Sequence, residues 1–246
     1  MNCIVADWEI RNLGVRTIEV EIGKDESCEG VVAEVNKFRL EHGAKYVVVK
    51  VDTRNPAASC VLQADGFCLI ETQICVKTNR AINKDVIKKY SPFYSDVTYR
   101  ATRANKDIDF VVAEMQKGIF DTDRIALDKH FGIDYSKRRY INWFLDSMER
   151  GATLYMVEYN GEDIGFFQKK DIDDRHQYET FLSLFSNKKN NCDGAMIYYA
   201  SAKEFYDEKN KVCKGAVSAN NLTALQLDLT FGSRPYCLKS VLVKHF

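Results

Sequence analysis

The residues best equipped for chemistry are eight cysteines, four histidines and a few polar side chains set at a repeated spacing. Cys3, Cys28, Cys60, Cys68, Cys75, Cys192, Cys213 and Cys237 form no C-x-x-C pair, and several lie in apolar runs such as Phe67-Cys68-Leu69-Ile70. They read as reduced core residues. His42, His130, His176 and His245 are far apart and make no H-x-x-x-H or H-E-x-x-H arrangement, so the spacing predicts no metal site. The strongest signal is a repeat. Asn55 is followed by Ala58 and Gly66, and Asn221 by Ala224 and Gly232, with apolar Val61 or Leu227 between. Asparagine caps a helix and glycine closes one, so each copy predicts a strand, a turn through Asn and a short helix. Asp228 lies in the second of these helices, and Tyr236 opens the strand after it.

These residues need elements to hold them. In 16–22 the alternation puts Ile18, Val20 and Ile22 on one face, as in a half-buried strand. Val31, Val32, Val35, Phe38 and Leu40 then form a helical stripe that stops at Gly43. A buried-strand run over 46–51, a short helix over 56–65 and a strand over 67–76 follow. The polar stretch 77–95, with Pro92, reads as a connection. Beyond it come a strand over 96–101, a helix capped by Asn105 and a second helix carrying Tyr140, Ile141, Phe144, Leu145 and Met148. A hairpin over 153–159 and 163–168 turns at Asn160-Gly161. A strand over 180–185, a helix over 194–210, a strand over 211–218, a helix over 221–231 and a strand over 236–244 complete the series. The order is β-α-β-α-β, then β-α-α-β-β-β-α-β-α-β.

The pattern N-x-x-A-x-x-L closed by glycine, in this order of elements, resembles the GNAT superfamily of N-acetyltransferases. The resemblance implies an α/β fold with an α+β mixed sheet and tandem GNAT-like halves. An incomplete structural half over 1–78 is joined by the connection 79–95 to a complete domain over 96–246. A truncated half ahead of a complete one is similar to the amino-sugar N-acetyltransferases of the dTDP-fucosamine type. Their acceptor-side segment matches 120–128 with Tyr140 and Trp143, which implies Phe120 and Arg124 as substrate-binding residues. Acetyl-CoA as co-substrate, no metal, and a small-molecule amine acceptor such as a nucleotide-linked amino sugar are likewise implied, and a homodimer is compatible with it.

In this superfamily the diphosphate of coenzyme A lies on backbone N–H groups where a Q/R-x-x-G-x-G/A loop enters a helix, because orphan donors and the helix dipole both favour an anion. The matching residues here are Lys188, Lys189, Asn190, Asn191, Cys192, Asp193 and Gly194, of which only the last keeps the glycine pattern. Cys192 adds a side chain and Asp193 a negative charge, while Lys188 and Lys189 offset it. The pantetheine arm would add to the edge of Leu182, Ser183 and Leu184 like another strand. Asn221 either bonds that arm or only caps its helix. Asp228 stands where many members have the tyrosine that protonates the departing thiolate. An ordinary aspartate, pKa ~3.9, has lost its proton at neutral pH, so Asp228 is expected to be an exposed, ionised helix residue unless burial raises its pKa by several units. Tyr236 is the better candidate acid on this reasoning. The altered loop and missing tyrosine also suit a catalytically silent acyl-CoA-binding or interaction module, or a scaffold that binds no coenzyme A. In the first half, Asp25, Glu26 and Glu29 would repel a diphosphate, so one coenzyme A per chain is expected.

Lys+Arg and Asp+Glu are equal at 35 each, which leaves no excess charge for a nucleic acid or an anionic membrane surface. With 46% hydrophobic residues over 246 positions a full core is available, and no apolar run is long enough to span a bilayer. Charge near the N-terminus argues against a signal peptide, and a cytoplasmic location is the expectation.

Overall fold

A computed structural model of the chain describes residues 1–188, 192–207 and 212–246. The first part of the chain runs β1 (Asn2–Val5), α1 (Trp8–Leu13), β2 (Thr17–Ile22), α2 (Val31–His42), β3 (Tyr46–Asp52), α3 (Pro56–Ala64) and β4 (Cys68–Asn79). Helix α4 (Arg80–Tyr90) leads to β5 (Val97–Thr102), α5 (Asn105–Gln116), α6 (Arg124–Leu127) and α7 (Ile133–Glu149). Then come β6 (Thr153–Tyr159), β7 (Glu162–Asp173), β8 (His176–Leu184), α8 (Ala195–Asp207), β9 (Val212–Ser218), α9 (Leu222–Thr230) and β10 (Arg234–His245). The strands form one mixed sheet in the order β1-β2-β3-β10-β4-β9-β8-β7-β6-β5.

Two strands are exchanged between the halves. β10 belongs to the second half but pairs antiparallel with β3, from Lys239↔Asp52 to His245↔Tyr46. β4 belongs to the first half but pairs antiparallel with β9, from Gln73↔Ser218 to Asn79↔Val212. The two exchanged strands also pair with each other. Each half therefore closes its sheet with a strand of the other, and the surface above the β4–β10 pair belongs to both.

The repeat is realised in matching geometry. Asn55 and Asn221 have φ of −114° and −99°, and their Oδ1 atoms accept the Ala58 N–H at 3.2 Å and the Ala224 N–H at 3.0 Å. Gly66 and Gly232 both stand at φ +89°, where only glycine is unstrained. A Cβ at Gly232 would also lie 2.8 Å from Ile82 and 3.0 Å from Val86, both of α4. That helix lies inside the segment read as a polar connection: Asn79 caps it, Val86 is buried, and Tyr90 packs on Phe231 at 4.9 Å. Ile18, Val20 and Ile22 share the core under α2 and α3, as their alternation required.

Other expectations need correcting. β1 and α1 precede the first predicted strand, and both are too short for a periodic signal. Asn105 does not cap α5, whose N-cap is Ala104 without a side-chain bond, and Leu40 on the α2 stripe is 67% exposed. β7 and β8 extend well past their predicted ends into one long hairpin. Among the described residues no helix is long and apolar enough to cross a membrane.

Candidate functional site

A slot opens between two parallel strands of the second half. β8 and β9 pair only at His176↔Val212, Gln177↔Cys213 and Tyr178↔Lys214, and then diverge. The corresponding strands of the first half, β2 and β3, stay paired from Thr17↔Tyr46 to Ile22↔Val51 and leave no slot. The opening continues into a cavity of about 610 Å³, within the usual range for a small-molecule site. Its walls come from β8 and β9, from α7 and α9, and from β2, β3 and β4 of the first half. Leu182, Ser183 and Leu184 pair with Phe167, Phe166 and Gly165 of β7, so their other edge faces the slot. Leu182 lines the cavity.

Asn221 also lines it. In the first half the equivalent amide is occupied: Asn55 Nδ2 donates to Gly23 O at 3.0 Å and to Glu26 O at 2.9 Å, which seals that side. Asn221 caps α9 through its oxygen, and among the described residues its Nδ2 has no partner. Both readings of this residue are thus compatible in one side chain.

The loop ahead of α8 differs from an open anion site. Lys189, Asn190 and Asn191 lie outside the described residues. Lys188 ends a short 3-10 turn and pairs with Glu162, and its carbonyl accepts the Cys192 N–H at 2.9 Å. Asp193 Oδ1 accepts the Ala195 N–H at 2.9 Å, and Tyr94 OH donates to Asp193 Oδ2 at 3.3 Å. The start of α8 is therefore already served by the chain's own carboxylate. Gly194 sits where a Cβ would touch Leu227 at 3.4 Å and Leu184 at 4.0 Å, beyond the point where β8 and β9 have diverged.

Asp228 is buried, at 8% exposure, against the expectation of an exposed and ionised helix residue. Burial, with the neighbouring Glu179 charge, pushes its carboxyl up to about 8, and a hydrogen bond from Ser233 offsets only part of this. It therefore holds its proton at neutral pH. Glu179 is itself raised by burial and lies 3.8 Å from Lys169, while Lys169 pairs with Glu204 at 2.6 Å. Tyr178, pushed up to about 12 by burial, and Tyr198, also raised by burial, line the same walls. Tyr236 reaches the cavity from β10 but is 45% exposed. Neither Tyr178 nor Tyr198 carries a sequence signature, and their facing positions on β8 and α8 emerge only in three dimensions.

The far end of the cavity joins an aromatic wall to a charged floor. Phe120 packs on Tyr140 at 5.0 Å and on Phe181 at 5.5 Å, and Trp143 meets Phe181 at 4.9 Å. Arg124 is not free for a ligand as expected: its guanidinium donates to Glu9 at 3.0 Å and Glu19 at 2.7 Å, deep between the halves. Glu19 is held at about 2 by Arg124 and Lys50 despite the opposing effect of burial. Every cation of the lining has a carboxylate: Lys50 with Glu19, Arg139 with Glu9 and Asp123, Arg150 with Asp146, Lys239 with Glu21. Among the described residues, the lining carboxyls Glu71 and Asp228 have no ion pair. Burial raises Glu71, with Ser218 as its hydrogen-bond partner.

No known family profile matches the chain and no curated protein does. Solved structures do. A GCN5-related N-acetyltransferase from Sphaerobacter thermophilus aligns over 99% of this chain and 76% of its own, at TM-score 0.65 and 10% identity. Another from Kribbella flavida aligns over 93% and 81%, at TM-score 0.58 and 11% identity. A tandem GNAT protein from the clavulanic acid biosynthesis pathway aligns over 94% and 78%, at TM-score 0.57 and 10% identity. With a ten-strand mixed sheet built from two related halves, this chain has the tandem GNAT fold.

Proposed function

We propose that the chain is an acyltransferase that moves the acetyl group of acetyl-CoA to a primary amine of a small molecule. The observation that carries this reading is the slot between β8 and β9, with an unpaired strand edge on one side and the free Asn221 amide on the other. Those groups suit a pantetheine arm, which presents amides along an extended chain. Bound there, acetyl-CoA would supply an activated thioester. Asp228 is the proton donor in this reading, since a carboxyl near pKa 8 keeps its proton at neutral pH and can release it to a departing thiolate. Glu71, which also lines the cavity, is suited to take the proton from an incoming ammonium. Tyr236 becomes the weaker choice because of its exposure.

The cavity also bears on the acceptor. A nucleotide-linked amino sugar brings a diphosphate that needs cations or free N–H groups, and the lining cations are already paired. An amine with an apolar or aromatic body fits the Phe120, Tyr140 and Trp143 wall and the unpaired carboxyls better. The dTDP-fucosamine type of substrate is thus the poorer match. One observation favours a second reading: Asp193 at the start of α8 opposes a diphosphate, as in a module that has lost turnover. Incubation with acetyl-CoA and a panel of arylalkylamines and nucleotide amino sugars, followed by mass spectrometry, separates these. An acetylated arylalkylamine supports the proposal, and coenzyme A binding without any acetylated product supports the silent module.

A further inference from the structure

The fold brings together three side chains whose spacing gave no hint of association. Asp128 follows α6, His130 stands two residues on, and His245 ends β10. His130 Nδ1 lies 3.2 Å from Asp128 Oδ1, His245 Nε2 lies 2.8 Å from Asp128 Oδ2, and one ligand atom from each falls within 4.8 Å of the others. The two imidazoles stack at 3.9 Å. His245 is held in place by Tyr46 at 4.6 Å and Phe131 at 5.3 Å, whereas the His130 side chain is 66% exposed.

We propose that Asp128, His130 and His245 bind a divalent transition-metal ion of the zinc class. Ligands ~2.0–2.2 Å from such an ion stand about 3.3–3.6 Å apart along a tetrahedral edge, so both the 3.2 Å His130 contact and the 2.8 Å His245 contact to Asp128 must open slightly to admit it. Two imidazoles and one carboxylate select zinc, cobalt, nickel or copper over magnesium and calcium, which prefer oxygen alone. The charge also fits. Asp128 is buried at 4% exposure, and among the described residues no lysine or arginine pairs with it. When both imidazoles are neutral its charge is balanced by hydrogen bonds only, and a divalent ion supplies the missing compensation. Three protein ligands leave a fourth position on the exposed His130 side for water. Such an ion would tie the turn after α6 to the end of β10, next to the Arg124 floor of the cavity. It does not depend on the acyl-transfer reading.

The test is a titration of the chelator-treated full chain with Co²⁺ and then Zn²⁺, followed by calorimetry and visible absorption. One ion per chain is expected, with cobalt d–d bands and no thiolate charge-transfer band. His130→Ala should weaken binding by about 10-fold or more, since even outer ligands of a metal are worth that much. His130 is exposed, so this variant keeps its fold, and His245→Ala with a circular dichroism check gives an independent loss. His42→Ala should bind like the parent. No binding, a thiolate band that places the ion on the cysteines, or affinity unchanged in His130→Ala would each overturn the site and leave a hydrogen-bonded His–Asp–His cluster only.

Discussion

Replacing Asp228 with asparagine should make the protein more stable and less active at once. The carboxyl stands at about 8 in the fold against an ordinary 3.8, chiefly through burial. For an acid raised by folding, stability falls as pH rises from the lower value to the higher, because the unfolded chain ionises and the fold cannot. At pH 7 that spans ~3 units, or about 4 kcal/mol at 1.36 kcal/mol each. Asparagine has nearly the same shape and does not titrate, so it escapes this cost. A chain of this size gains ~2–4 °C in Tm per kcal/mol, which gives a rise of about 10 °C at pH 7. At pH 4 the two proteins should melt within a few degrees of each other. Thermal melts by circular dichroism at both pH values measure this, and acetyl transfer measured in parallel should fall by ~10² or more if Asp228 donates the proton. An Asp228→Asn protein no more stable at pH 7 than its parent would refute the burial argument. A more stable variant with full activity would retain the burial argument and remove Asp228 from the chemistry.

Asp193→Asn keeps the α8 cap but removes the charge at the helix start, and a unit charge ~5 Å from a phosphate costs about 1–3 kcal/mol. Coenzyme A should therefore bind about fivefold tighter or more by calorimetry, and weaker binding would count against a diphosphate there. Arg124→Met removes the cation that Glu9 and Glu19 share but leaves them Arg139 and Lys50, so urea denaturation should show a loss of ~1–3 kcal/mol. Glu19, lowered from 4.5 to about 2, contributes about 3 kcal/mol that is fully present above pH 4.5 and lost as pH falls toward 2. Glu19→Gln should flatten that acid limb, and an unchanged acid midpoint would show that the Glu19–Arg124 pair is not what holds it.

Local features were legible in the sequence because they depend on neighbours along the chain. The Asn55 and Asn221 caps, their φ +89° glycines and the turn at Asn160, φ 53°, all follow from residue types at fixed offsets. The exchange of β4 and β10 was not legible, because both strands pair with partners more than a hundred residues away, and an alternating pattern says which face is buried but not which neighbour it meets. The chemistry of Asp228 was hidden for the same reason: its pKa is set first by burial and then by Glu179, which reaches α9 from β8. Arg124 reads from the sequence as a substrate-binding candidate, but its two carboxylate partners lie 115 and 105 positions away and make it a clamp between elements. Asp128, His130 and His245 meet only because β10 crosses into the first half.

In the proposed function a single slot, the one between β8 and β9, receives acetyl-CoA. Calorimetric titration of the full chain with acetyl-CoA tests it most directly, alongside Ala216→Phe, which places a ring in the slot from an exposed position on β9. One acetyl-CoA per chain and loss of binding in Ala216→Phe are expected. Two per chain, no heat at millimolar ligand, or unchanged binding in the variant would contradict it.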